Sequence, residues 1–146
     1  MRIKIKTKSA SETQKIAKLL AEDILQGRPK TKKGLIFAFS GDLGSGKTTF
    51  IQGFLKGLGV KNKVTSPTFV IMKHYKCAYH IDCYRLRKPA ELTNLGFKEF
   101  LNKPKSIFLI EWAEKIKRIL PKDTIWLEFK HGKKENEREI TIRQNK

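Results

Sequence analysis

Residues 41–49 read GDLGSGKTT, a glycine and four residues followed by Gly46, Lys47 and Thr48, which is a complete phosphate-binding-loop pattern. A triphosphate must be wrapped by backbone N–H groups, and only glycine lets the backbone turn and approach so closely. Gly41, Gly44 and Gly46 supply that freedom. Asp42, Leu43, Ser45 and Thr49 complete the loop. Lys47 is placed to reach the outer phosphates, and the Thr48 hydroxyl to hold a bridging Mg2+. Upstream, Leu35 to Phe39 is a short apolar run expected to form a buried parallel strand. Downstream, Phe50, Phe54, Leu55 and Leu58 recur at helical spacing before Gly57 and Gly59 end the helix, whose positive dipole end faces the loop. Strand, loop and helix in this order point to a site for ATP or GTP.

The chain of 146 residues has room for one domain, 1–146, with a real core but little for a substrate lid. Its 39% apolar content suits a globular fold. A net charge of +18 is the balance expected of a polyanion binder. Because the lysines are scattered along the chain, the same charge also reads as compositional bias. No apolar run approaches membrane-spanning length, and the basic start lacks a signal-peptide core, so a cytoplasmic location is expected. His74, Cys77, His80 and Cys83 are zinc-ligand types at every third position. Their surroundings read as strand, where His80 and Cys83 point to opposite faces, so ordinary packing is the expectation.

Residues 1–7 alternate isoleucine with basic residues, as an edge strand does, and a helix is expected over 12–26 with Ile16, Leu19, Leu20 and Ile24 inward. Val64 to Phe69, VTSPTF, reads either as a turn before a strand or as a switch-like loop presenting Thr65 or Thr68 to a metal or phosphate. Two strands, 69–77 and 78–85, suggest a hairpin that puts His80, Asp82 and Tyr84 on one face. That face is either a water- or metal-organising site or the polar outside of an edge strand. An amphipathic helix over 88–101 is interrupted by Gly96, and a buried strand, Ile107 to Ile110, ends on Glu111 and Trp112. A carboxylate ending a core strand is the second half of a phosphate-loop site, beside the Mg2+. A basic helix over 113–120 and strands at 125–129 and 139–142 close the chain. The element order indicates an α/β fold with a mixed sheet.

This ordered set resembles the TsaE (YjeE) family of small bacterial ATPases, which act in making threonylcarbamoyladenosine on tRNA. The resemblance rests on GDLGSGKTT at 41–49, SPTF at 66–69, HIDCYRL at 80–86, LGFKEFL at 95–101 and LIEW at 109–112. It departs from the family pattern in carrying Ala113 where a proline is usual. The resemblance implies a three-layer phosphate-loop NTPase fold with a mostly parallel central sheet and late antiparallel strands. It implies ATP and Mg2+ held by Gly41 to Thr49, with Thr48 and Glu111 at the metal and Lys47, Asp82 and Glu111 as the catalytic set. It further implies Thr68 in a switch loop, Thr13 on the adenine side, and Trp112, Tyr84 and Arg85 at the site or a partner surface. The implied partners are TsaB and TsaD, whose complex ATP hydrolysis resets, with any tRNA contact indirect or weak. A small phosphate-loop kinase and a nucleotide-switched nucleic-acid-binding module are the competing readings.

Overall fold

A computed structural model of the chain describes residues 1–27, 33–61 and 72–145. The apolar run and the loop after it become β2 (Leu35–Gly41) and α2 (Lys47–Gly57), and the rest is arranged about them. Before them come β1 (Arg2–Thr7) and α1 (Ala10–Gly27). After them come β3 (Met72–Tyr75), β4 (Ala78–Asp82), two single-turn helices α3 (Ala90–Thr93) and α4 (Phe97–Phe100), and β5 (Ile107–Glu111). A 3-10 segment (Ala113–Ile119), β6 (Ile125–His131) and β7 (Arg138–Gln144) complete the chain. The strands form one sheet in the order β1-β7-β6-β2-β5-β4-β3. The centre, β6-β2-β5-β4, is parallel, and β1, β7 and β3 are antiparallel to their neighbours.

Alternation along the strands divides the core in two. One face carries Phe37, Phe39, Leu109, Leu127, Phe129 and Ile140, buried under Ala17 and Ala21 of α1 and Phe50, Ile51, Phe54 and Leu55 of α2. Phe39, Phe50 and Phe129 form a ring cluster with centroids 5.6 to 5.9 Å apart, tilted or edge-on as aromatic quadrupoles prefer. Gly53 lets α2 press onto α1, since a Cβ there would lie 2.3 Å from the Gln14 carbonyl oxygen. The other face carries Ile36, Ala38, Tyr79, Ile81, Phe108 and Ile110 under Leu92, Phe97, Leu101 and Ile116. This second layer is thin, being built from single helical turns.

Four expectations are corrected. Leu19, expected inward on α1, is 56% exposed, because the buried stripe of that helix runs through Thr13, Ala17 and Ala21, with Leu20 and Ile24 packed beside the core. The helix expected over 88–101 is two separate turns, because Gly96 adopts φ +78° and breaks the ladder. The basic helix over 113–120 is a 3-10 segment kinked at Ile116, whose φ of −121° is not helical. The strand expected to reach Arg85 ends at Asp82 and lies between β3 and β5, so His80 and Asp82 belong to an internal strand and Tyr84 to the turn beyond it. His80 is therefore wholly buried, which excludes the reading of a polar outer face of an edge strand. The four zinc-type side chains part: His74 stacks on Tyr79, His80 turns to Glu111, Cys83 is buried and Cys77 is half-buried. Among the described residues no helix is long and apolar enough to cross a membrane.

Candidate functional site

Strands β2, β4 and β5 run parallel and end together at Gly41, Asp82 and Glu111. Register places Asp82 beside Glu111 on neighbouring strands. The C-terminal edge of a parallel sheet is where ligands bind in open α/β folds, because the loops and helix N-termini gather there. Here the loop after β2 leads into α2, whose first-turn N–H groups have no partner inside the helix. Gly41, Gly44 and Gly46 take φ of +139°, +76° and +103°, the left-handed region that side-chain-bearing residues avoid. A Cβ on Gly41 would also sit 2.5 Å from the Phe129 carbonyl oxygen.

A cleft of about 350 Å³ opens over this edge. Its walls are Leu43 to Thr49 of the loop, Asp82, Tyr84, Glu111 and Trp112 from the ends of β4 and β5, Ala10 and Thr13 from α1, and Asn136 and Arg138 from the β6–β7 hairpin. Elements far apart in sequence thus converge on one concavity. Asp42 flanks the cleft and contributes its carbonyl oxygen to Lys47.

Thr48 Oγ1 donates to Glu111 Oε1 at 2.8 Å, and His80 Nε2 lies 2.6 Å from Glu111 Oε2, so each carboxylate oxygen has one partner. Glu111 and His80 are both buried, which makes these bonds costly to break. Asp82 Oδ1 accepts the Tyr84 N–H at 2.9 Å, closing the turn that carries Tyr84 over the cleft. The Lys47 ammonium donates to the Gly41 and Asp42 carbonyls and lies 3.7 Å from the centre of the Trp112 ring. Burial pulls the Lys47 pKa below the ordinary lysine range, opposed by the carboxylates of Glu114, Glu111, Asp42 and Asp82. Trp112 itself sits at φ +57°, a sparsely populated conformation for a bulky residue, and this turns its indole onto Lys47 and toward Tyr84, 5.1 Å away.

The Thr13 hydroxyl is in the cleft wall and is shared with Thr7 at 2.7 Å. Thr65 and Thr68 lie outside the described residues. Sequence reasoning missed Arg138 and Asn136. The Arg138 guanidinium donates to the carbonyls of Glu135 and Glu137, at 2.7 and 2.8 Å, and to that of Gly44 at 3.3 Å, tying the hairpin to the phosphate loop. Only the parallel pairing of β2 with β6, which sets Gly41 against Phe129, brings that hairpin alongside.

The donor set suits a magnesium-bound polyphosphate. Ser45 Oγ is buried with no hydrogen-bond partner among the described residues. A hydroxyl and carboxylates are the hard oxygen ligands that Mg2+ takes, and a lysine completes the anion's surroundings.

A strand, a glycine loop and a helix, with a carboxylate at the end of the adjacent parallel strand, define a protein of the phosphate-loop class. Residues 7–140 match the family model described as "Threonylcarbamoyl adenosine biosynthesis protein TsaE". The chain is 38% identical over 144 residues to the tRNA threonylcarbamoyladenosine biosynthesis protein TsaE of Bacillus subtilis, covering 96% of this chain and 84% of that one. It is 43% identical over 99 residues to the protein of the same name from Haemophilus influenzae, covering 65% of this chain and 62% of that one. The crystal structure of Bacillus subtilis YdiB superposes with a TM-score of 0.78 at 34% identity, covering 99% of this chain and 86% of that one. The chain belongs to the TsaE family.

Proposed function

We propose that the cleft binds Mg-ATP and hydrolyses it, as an accessory step in threonylcarbamoyladenosine modification of tRNA carried out with TsaB and TsaD proteins in the cytoplasm. The observation that carries the reading is the Thr48–Glu111 hydrogen bond at the foot of the glycine loop. It pairs the loop hydroxyl with the strand-end acid at the place where a phosphate-loop enzyme needs its metal. The relatives' names supply the pathway.

In this reading the loop N–H groups and the α2 N-terminus cradle the β- and γ-phosphates. Lys47 exchanges the Gly41 and Asp42 carbonyls for phosphate oxygens, which as anions are stronger acceptors. Thr48 and Glu111 would hold Mg2+, which when bound neutralises charge on the phosphate oxygens. Asp82, beside Glu111 at the end of the neighbouring strand, orients a water whose oxygen attacks the γ-phosphorus in line as the bond to ADP breaks. Trp112 packs against the nucleotide, and Thr13 lies toward the adenine side. Thr68 is assigned to a switch loop on the resemblance alone.

The test is ATP hydrolysis by the purified protein with and without Mg2+, repeated after adding TsaB and TsaD. Weak Mg2+-dependent turnover that rises with the partners is expected. Equal turnover with and without them would remove the accessory role, and transfer of the phosphoryl group to a small molecule would favour a kinase.

A further inference from the structure

We propose that the open face of the β1-β7-β6 wing is an RNA-binding surface, with its cations on the sugar–phosphate backbone and Trp126 as a platform for a base. The proposal is independent of the nucleotide reading.

The register defines this face residue by residue. Arg2, Arg143 and Trp126 stand in one row across the three strands, Lys4, Thr141 and Glu128 in the next, and Lys6, Glu139 and Lys130 in the third. The intervening rows, Ile3-Ile142-Leu127 and Ile5-Ile140-Phe129, point to the opposite face, the side on which α1 and α2 pack. On the basic face, the apolar cluster beneath α3, α4 and the 3-10 segment takes in only Trp126 from the wing among the described residues. Among the described residues the rest of the face has no covering layer, and of its other members only Thr141 is buried.

Its charge is unbalanced. The five cations Arg2, Lys4, Lys6, Lys130 and Arg143 are all exposed, and two carboxylates stand among them. Glu139 pairs with Lys4 at 3.2 Å, and Glu128 lies 3.7 Å from Lys130 and 3.9 Å from Arg143. Arg2 and Lys6 are in no ion pair among the described residues. Arg2 is directly opposite Arg143, an arrangement that disfavours folding and that a polyanion would relieve.

Spacing favours a nucleic-acid strand over an acidic protein patch. Arg2, Lys4 and Lys6 recur at about 6.7 Å along β1, Arg143 stands about 4.8 Å from Arg2 on the neighbouring strand, and Lys130 lies two strands from Lys6, a sparse grid whose β1 row can follow successive phosphates. The half-buried Trp126 ring at the grid's edge offers the stacking surface that single-stranded binding uses. A membrane would want an amphipathic element to insert, and this face has none.

The experiment titrates a fluorescein-labelled RNA hairpin with the full chain, reading anisotropy across a salt series. Arg2→Glu, Lys6→Glu and Arg143→Glu together are expected to weaken binding about tenfold or more and to flatten the salt slope by about two to three. A control with the same charge change at exposed positions elsewhere, Lys15→Glu, Lys56→Glu and Lys98→Glu, should cost less than about threefold by the same slope argument. Thermal melts establish that both variants fold. The milder Lys6→Gln, at an exposed site, should lower the slope by about one and serves if the triple variant does not fold. Equal loss in both triple variants would reduce the effect to net charge and overturn the proposal. So would the absence of RNA binding, or binding to phosphatidylserine vesicles in its place.

Discussion

The two halves of the sheet are built differently. The parallel half, β2-β5-β4, is covered on both faces, and its strand ends converge on the cleft. The antiparallel wing, β1-β7-β6, is covered on one face by α1 and α2 and is largely bare on the other. Double burial makes the parallel strands near-continuously apolar, as in Ile107 to Ile110, so that any polar group held there is held rigidly. Glu111 is such a group, gripped at both oxygens. In the wing, β1 alternates isoleucine with basic residues, which builds an exposed edge of high charge. A half that grips its buried polar groups and a half that opens a charged surface are joined within one sheet.

That contrast can be broken most forcefully in the core. Phe39→Ala removes a ring from the Phe39–Phe50–Phe129 cluster and should cost about 3–5 kcal/mol in chemical denaturation. Next in size is Gly53→Ala. Its Cβ would meet the Gln14 backbone, so α1 must shift, at a cost of about 1–3 kcal/mol by the same measurement. At the site, Glu111→Ala should lower Mg2+-dependent ATP turnover about a hundredfold, about 2.7 kcal/mol, by steady-state assay. Asp82→Asn should keep ATP binding while losing turnover, and loss of both with the fold intact would make Asp82 a binding residue. The smallest effect belongs to the wing: Ile3→Ala, at a position 45% exposed, should change stability by about 0.5 kcal/mol or less. A large loss there would mean that the wing is as cooperative as the centre.

The thiols sharpen the comparison. Burial pushes the Cys83 thiol up to about 12, so it stays protonated and inaccessible in the native state. A thiol reagent at pH 8 should label half-buried Cys77 faster than Cys83, and the difference should vanish in denaturant.

What could be read in advance follows local chemistry. The glycine loop, the apolar β2 run, the alternation of β1 and the presence of α1 declare themselves within a few residues, and so does an acid that ends a core strand, whereas the face that α1 buries does not include Leu19, which periodicity places on it. The positions that escaped depend on pairing between distant segments. His80 meets Glu111 because β4 pairs with β5 in a register that sets His80 opposite Leu109, two residues before Glu111 on the same face, which no feature of the 78–82 stretch reveals. Arg138 is one of 32 lysines and arginines, and only the β2–β6 register carries it to the phosphate loop. The helix expected over 88–101 failed for a local reason. Gly96 adopts a left-handed conformation and splits an amphipathic stripe that periodicity alone reads as continuous.

The central claim is that the parallel half holds Mg-ATP through the loop lysine. Calorimetric titration of ATP with Mg2+ into the wild-type chain and into Lys47→Ala tests it directly. The account predicts one binding site in the wild type and an affinity weakened about a hundredfold or more in the variant, as loss of a buried charge-assisted partner implies. No heat from the wild type, or equal affinity in the two proteins, would contradict it.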